Sequence, residues 1–148
     1  MNRNDHETDD SPLVLAGVDG SDSSWRAAAY AAGLARRQQS LLVVVYVQPI
    51  TSAFANLSGT IVDAGQEIAD ELLTYIQRST ARLGASEQIR WQFRTLRGDP
   101  ANELIRIADE LHADAIVVGS SASFGHRIYG SVAIRLVKTG RWPVTVVP

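Results

Sequence analysis

Residues 41–47 read "LLVVVYV", seven apolar residues with no polar break. A run this short and this rich in β-branched side chains reads as a strand covered on both faces, because a half-wet strand alternates. Two further runs share that character, "LVLAGV" at 13–18 and "AIVVG" at 115–119. The run "IRWQFRT" at 89–95 does not. There Ile89, Trp91 and Phe93 alternate with Arg90, Gln92 and Arg94, so one face meets water and the run belongs at a sheet edge. A fifth, short run is "VTVV" at 144–147.

Helical patterns separate these runs. "SDSSWRAAAYAAGLARRQQ" reads as a helix capped by Asp22 or Ser23. "ITSAFANLSGT" at 50–60 is a loop. Between 61 and 83, Ile61, Val62, Ile68, Leu72, Leu73, Ile76 and Leu83 recur at helical spacing. "GDPANELIRIADELH" is a helix with Asp99 as N-cap, Pro100 at its first position and His112 at its far end. "SVAIRLVKTG" is a helix closed by Gly140. The order is βαβαβαβαβ, an α/β, doubly wound, five-stranded parallel sheet with helices on both faces. Apolar strands at the centre and the other two outside give the order 3-2-1-4-5. That order reverses between the first and fourth strands, where open α/β sheets bind ligands. The strand ends there are "VDGS" at 18–21 and "GSSASFGHRIYGS" at 119–131.

The chain's 148 residues, 45% hydrophobic and 20% charged, fit one globular domain, placed at 13–148. The opening "MNRNDHETDDSP" sets Arg3 against Asp5, Glu7, Asp9 and Asp10, and residues 1–12 read as a disordered acidic tail. No basic stripe favours nucleic acid as a partner. The longest apolar run is far too short for a membrane span, and the acidic start is unlike a signal peptide. A cytoplasmic location is expected. The absence of cysteine removes disulfide and thiolate chemistry.

Several motifs fail. No G-x-G-x-x-G follows the first strand, and Gly119-Ser-Ser-Ala-Ser lacks the last glycine of a nucleophile elbow. Gly125 to Gly130-Ser131 has P-loop spacing without its lysine. His6, His112 and His126 are scattered, so no metal site is expected. A base for ATP hydrolysis would have to be Asp19 or His126, neither with a visible orienting partner. What survives is a strand, a glycine-bearing loop and a helix starting at Ser131. The helix N-terminus is an anion site, Gly130 admits close approach, Ser131 caps the helix or binds a phosphate oxygen, and Arg127 supplies charge. Taken alone, the loop reads first as a plain turn and cap at Gly130 and Ser131.

Three segments, "VLAGVDGS", "GDPANELIRIADELHADAIVVGS" and "GSVAIRLVKTGRWPVTVVP", together resemble the universal stress protein family over about residues 13 to 148. The resemblance implies a stress-response module that is commonly dimeric through the fifth strand. Some of its members bind ATP or another adenine nucleotide, with magnesium accompanying the phosphates, and others bind none. Binders are associated with Gly-x-x-Gly, nine residues, then Gly-Ser or Gly-Thr. Carried over, the first glycine is Gly119 and the final pair Gly130-Ser131, with Val118 and Val132 flanking them. Val18 and Asp19 fall beside the nucleoside, and Val47 where a backbone group meets adenine. The second glycine is Ala122, and only seven residues separate it from Gly130. Alanine there costs about 1 kcal/mol in a left-handed conformation. Two missing residues remove about 7 Å of chain, of which Gly125 restores part of the turn. Weak nucleotide binding is therefore expected, with ATP hydrolysis at most slow. The alternative is a stress protein that works through contacts with an unidentified protein partner.

The run at 144–147 is flat, apolar and at an edge, an aggregation hazard unless paired. Pairing across a two-fold axis satisfies it and gives a homodimer. Its brevity and the flanking Pro143 and Pro148 are the other protection available.

Overall fold

The computed structural model describes residues 11–50, 60–85, 88–120 and 130–148, with side chains from residue 65 onward in the second of these segments. Of the expected disordered tail at 1–12, residues 1–10 lie outside the described residues, as do 51–59 of the expected loop at 50–60 and loop residues 121–129. Strands and helices alternate as β1 (Leu13–Val18), α1 (Asp22–Gln38), β2 (Leu41–Gln48), α2 (Thr60–Ala81), β3 (Trp91–Arg97), α3 (Pro100–Glu110), β4 (Ala115–Gly119), α4 (Ser131–Thr139) and β5 (Val144–Val147). The strands form one parallel sheet in the order β3-β2-β1-β4-β5. Both the order and the edge position of β3 agree with the reading of its alternation.

Because successive side chains point to opposite faces, each central strand feeds two cores. Leu15, Val43, Val45, Ile116 and Val118 pack with Leu104 and Ile107 of α3 and Leu136 of α4. Val14, Ala16, Val44, Tyr46 and Val117 pack with the alanine stripe Ala27, Ala31 and Ala35 of α1 and with Ala69, Leu72 and Ile76 of α2. Alanines let α1 lie close to the sheet, and the Trp25 and Tyr75 rings, 4.2 Å apart, bridge α1 to α2. Leu13 and Asp114 clamp the starts of β1 and β4. The Leu13 N–H donates to the Asp114 carboxylate at 2.7 Å, and the Asp114 N–H to the Leu13 carbonyl at 2.8 Å. Among the described residues, no helix is long and apolar enough to cross a membrane.

Three local expectations need correction. The third strand lies two residues later than 89–95, because its ladder with β2 pairs Leu42 with Trp91 and continues to Gln48 with Arg97. The cap of α1 is Ser21, whose side chain accepts from the Ser24 N–H, and not Asp22 or Ser23. Gly20, at φ 86°, turns the chain one residue earlier than the serine pattern suggests. Ile68 is 41% exposed, since the buried stripe of α2 runs through the smaller Gly65 and Ala69. The α3 cap, Asp99 followed by Pro100, and the α4 stop at Gly140, φ 67°, are as expected.

Candidate functional site

All parallel strands of the sheet end on one side, and each following helix starts there. The N-termini of α1, α3 and α4 consequently converge beyond the ends of β1, β2 and β4. A cavity of about 370 Å³ opens between them at the switch point of the sheet. Eight residues singled out from the sequence line it: Val18, Asp19, Val47, Val118, Gly119, Gly130, Ser131 and Val132. The other three, Ala122, Gly125 and Arg127, lie outside the described residues.

Two glycines shape the walls. A β-carbon on Gly17 would stand 3.0 Å from Leu104 Cδ1 and 3.2 Å from Val118 Cγ1, so its absence lets α3 close over the floor. A β-carbon on Gly119 would stand 2.7 Å from the Ser23 carbonyl carbon, Ser23 Oγ and the Ser24 nitrogen. Gly119 therefore serves the seating of α1 as well as any approach to a ligand.

The turn after β1 is held by its own polar groups. The Ser21 N–H donates to Asp19 Oδ1 at 2.9 Å, and Ser24 Oγ donates to the Ser21 carbonyl at 2.9 Å. Ser24 Oγ also accepts the Asp19 N–H at 3.3 Å. Tyr46 borders the same side of the cavity. Burial, and secondly the negative charge of Asp19, raise its hydroxyl above the ordinary tyrosine value.

The three helix starts differ in charge. α1 is capped by Ser21 with Asp22 in its first turn, and α3 by Asp99 with Glu103 in its first turn. α4 has Gly130 as its N-cap, no acid in its first turn and no side-chain cap among the described residues. Ser131 does not cap the helix, because it is already the first helical residue and the cap must be the extended residue before it. Of these three helix starts, α4 is the one with no side-chain oxygen among the described residues to offset its positive end. At the root of the glycine loop, the Gly130 N–H donates to the Ser120 carbonyl at 2.9 Å and the Ser120 N–H to the Val147 carbonyl at 2.8 Å.

Sequence pattern passes over Tyr46, Pro49, Pro100, Leu104 and Ser24 as cavity residues. Tyr46 reads as core and Pro100 as a helix start. Only the rule that every helix after a parallel strand begins at the same end would have drawn them together. The result is an apolar cleft with a hydroxyl- and carboxylate-bearing side at β1 and α1, and with the start of α4 on its wall. Among the described residues no group of three His, Cys, Asp or Glu side chains could hold a metal ion.

Comparison with known proteins agrees with this fold. The model of the universal stress protein family matches residues 13–148. Universal stress protein MJ0531 of Methanocaldococcus jannaschii is 30% identical over 140 residues, covering 90% of this chain and 80% of that protein. A universal stress protein family member from Burkholderia pseudomallei superposes with a TM-score of 0.74 at 28% identity, covering 93% of this chain and 96% of the other. A universal stress protein crystallised in complex with cAMP gives a TM-score of 0.71 at 25% identity, covering 93% and 97%.

Proposed function

The chain belongs to the universal stress protein family, and from that premise we propose that its sheet-end cavity holds an adenine nucleotide weakly. The observation that carries this reading is the start of α4, with no side-chain cap among the described residues and no acid in its first turn, on the wall of a mainly apolar cleft. A base fits walls of valine and proline, and a phosphate fits the N–H groups of a helix start. The cleft's volume lies within the range of small-molecule sites. The cAMP complex of a relative supports the ligand class. In this reading Val18, Val47, Val118 and Val132 enclose the nucleoside beside Asp19, while Gly119, Gly130 and Ser131 receive the first phosphate. Arg127 supplies charge from the loop.

The grip weakens beyond that phosphate. Ala122 and the two missing residues leave less backbone to follow a triphosphate, with Gly125 the remaining flexible position. Magnesium enters only as the companion of the nucleotide's own phosphates. The function follows as ligand-dependent regulation in the stress response, with ATP hydrolysis at most slow. Titration calorimetry with AMP, cyclic AMP, ADP and ATP tests it. Weak binding with little gain from AMP to ATP is expected, and replacing Ala122 by Gly with two residues inserted before Gly130 should create a preference for ATP. Tight binding of ATP alone by the unmodified chain would overturn the weak-grip reading. No binding, even to the repaired loop, would favour a protein acting only through a protein partner.

A homodimer through residues 144–147 belongs to the same proposal. Val144 and Val146 are half-buried on the edge strand, and Val137 on neighbouring α4 is 55% exposed. The opposite edge, β3, carries Gln92, Arg94 and Arg97, which discourage pairing.

A further inference from the structure

At the pole of the sheet opposite the cavity, one side carries an excess of positive charge. α1 and α2 both end there, with Arg36 and Arg37 in the last turn of α1, Arg78 in the last turn of α2 and Arg82 just beyond it. Arg90 stands on the same rim, its carbonyl accepting the Leu42 N–H at 2.9 Å. All five side chains are exposed. From Ser23 to Ser40 the sequence contains no acid, and from Leu72 to Arg90 only Glu87. On the α3 and α4 side of the pole, Arg106 pairs with Glu103 and Glu110, and Arg141 with Asp109. Helix dipoles account for Arg37 and Arg78, but not for Arg82.

The chain enters the fold beside this rim. The Pro12 carbonyl accepts the Leu41 N–H at 2.8 Å, and Leu41 stands two residues past Gln39, the C-cap of α1. Asp9 and Asp10 are two or three residues before Pro12, a reach of about 10 Å in extended chain. Residues 1–10 hold Asp5, Glu7, Asp9 and Asp10 against Arg3 alone. The geometry points to an intramolecular docking site in which the acidic segment 5–10 lies over Arg37, Arg78 and Arg82. Single exposed ion pairs are weak, but the tether keeps the acids at high effective concentration.

The absence of cysteine makes a single spin label unambiguous. A nitroxide on full-length His6→Cys leaves every acid of the segment in place. Amide signals of residues 37–39 and 78–83 should lose more intensity than those of 111–114, on the other side of the same pole. The difference should vanish at about 1 M salt, where the screening length is about 3 Å. It should also vanish on replacing Arg37, Arg78 and Arg82 by Gln. Equal losses on both sides, or a difference insensitive to salt, would refute the docking. Losses seen only when labelled and unlabelled chains are mixed would assign the contact to a second copy and refute it in its intramolecular form.

Discussion

A side chain at position 119 has nowhere to go, because its first carbon meets the backbone of Ser23 and Ser24 at 2.7 Å. Gly119→Ala should therefore cost about 1–3 kcal/mol, the usual range for overpacking, in urea unfolding without any nucleotide. Gly17→Ala meets only the movable ends of Leu104 and Val118, so a smaller loss is expected. Tyr46 carries a second residue-scale prediction. Its hydroxyl is raised above 10.0, first by burial and then by Asp19. The folded state therefore holds that proton more tightly than the unfolded chain. Stability should be unaffected by this group below the ordinary value and fall as pH rises above it through the folded one. Asp19→Asn removes the second cause, so spectrophotometric titration should show Tyr46 ionising at a lower pH than in the unsubstituted chain. Asp19 was legible through the family resemblance, which implies an aspartate after the first strand beside the nucleoside. Tyr46 escaped because an aromatic within an apolar run carries no mark of which end of the strand it occupies.

Between elements, Asp99 joins two helices that border the cavity. Its carboxylate accepts the Asn102 N–H at 3.0 Å and takes Arg135 of α4 at 2.7 Å. The Asn102 bond first, and Arg135 second, hold it below the ordinary carboxylate value. Its contribution is present above that ordinary value and is lost as pH falls through the folded one. Asp99→Ala should cost about 1 kcal/mol from the lost cap, whereas Arg135→Gln should cost less, because an exposed ion pair is worth about 1 kcal/mol at most. Thermal unfolding of both variants at neutral and acid pH checks the order, which should flatten in acid. The α3 start was legible because Asp-Pro is a local signal. The link to Arg135 was not, because its partners are 36 residues apart and meet only through the packing of two helices. The boundaries of β3 shifted for a similar reason: its alternation is visible locally, while its ends are set by the length of β2.

For the molecule as a whole, strand order was legible from burial alone: continuous runs fill the centre and the alternating run takes an edge. The two edges then differ in chemistry, one charged and one apolar, so the proposed dimer is expected to use β5 and not β3. Val146→Lys is expected to yield a monomer by light scattering, while a charge reversal on β3, Arg94→Glu, leaves the assembly unchanged. A monomeric unsubstituted chain at micromolar concentration would contradict the dimer. The convergence of three helix starts was less legible, since it is a property of topology and no single motif records it.

The bond from the Gly130 N–H to the Ser120 carbonyl ties together the two ends of the segment between them, and the Ser120 N–H is itself anchored on Val147. A segment closed at its base in this way is a detachable cassette. Its length and composition can change while the sheet, the start of α4 and the last strand stay in register. Lengthening it by two residues adds a few tenths of a kcal/mol at most, given about 0.6 kcal/mol per doubling of loop length. Ligand preference can thus drift, be lost or be regained within a lineage at almost no cost to folding.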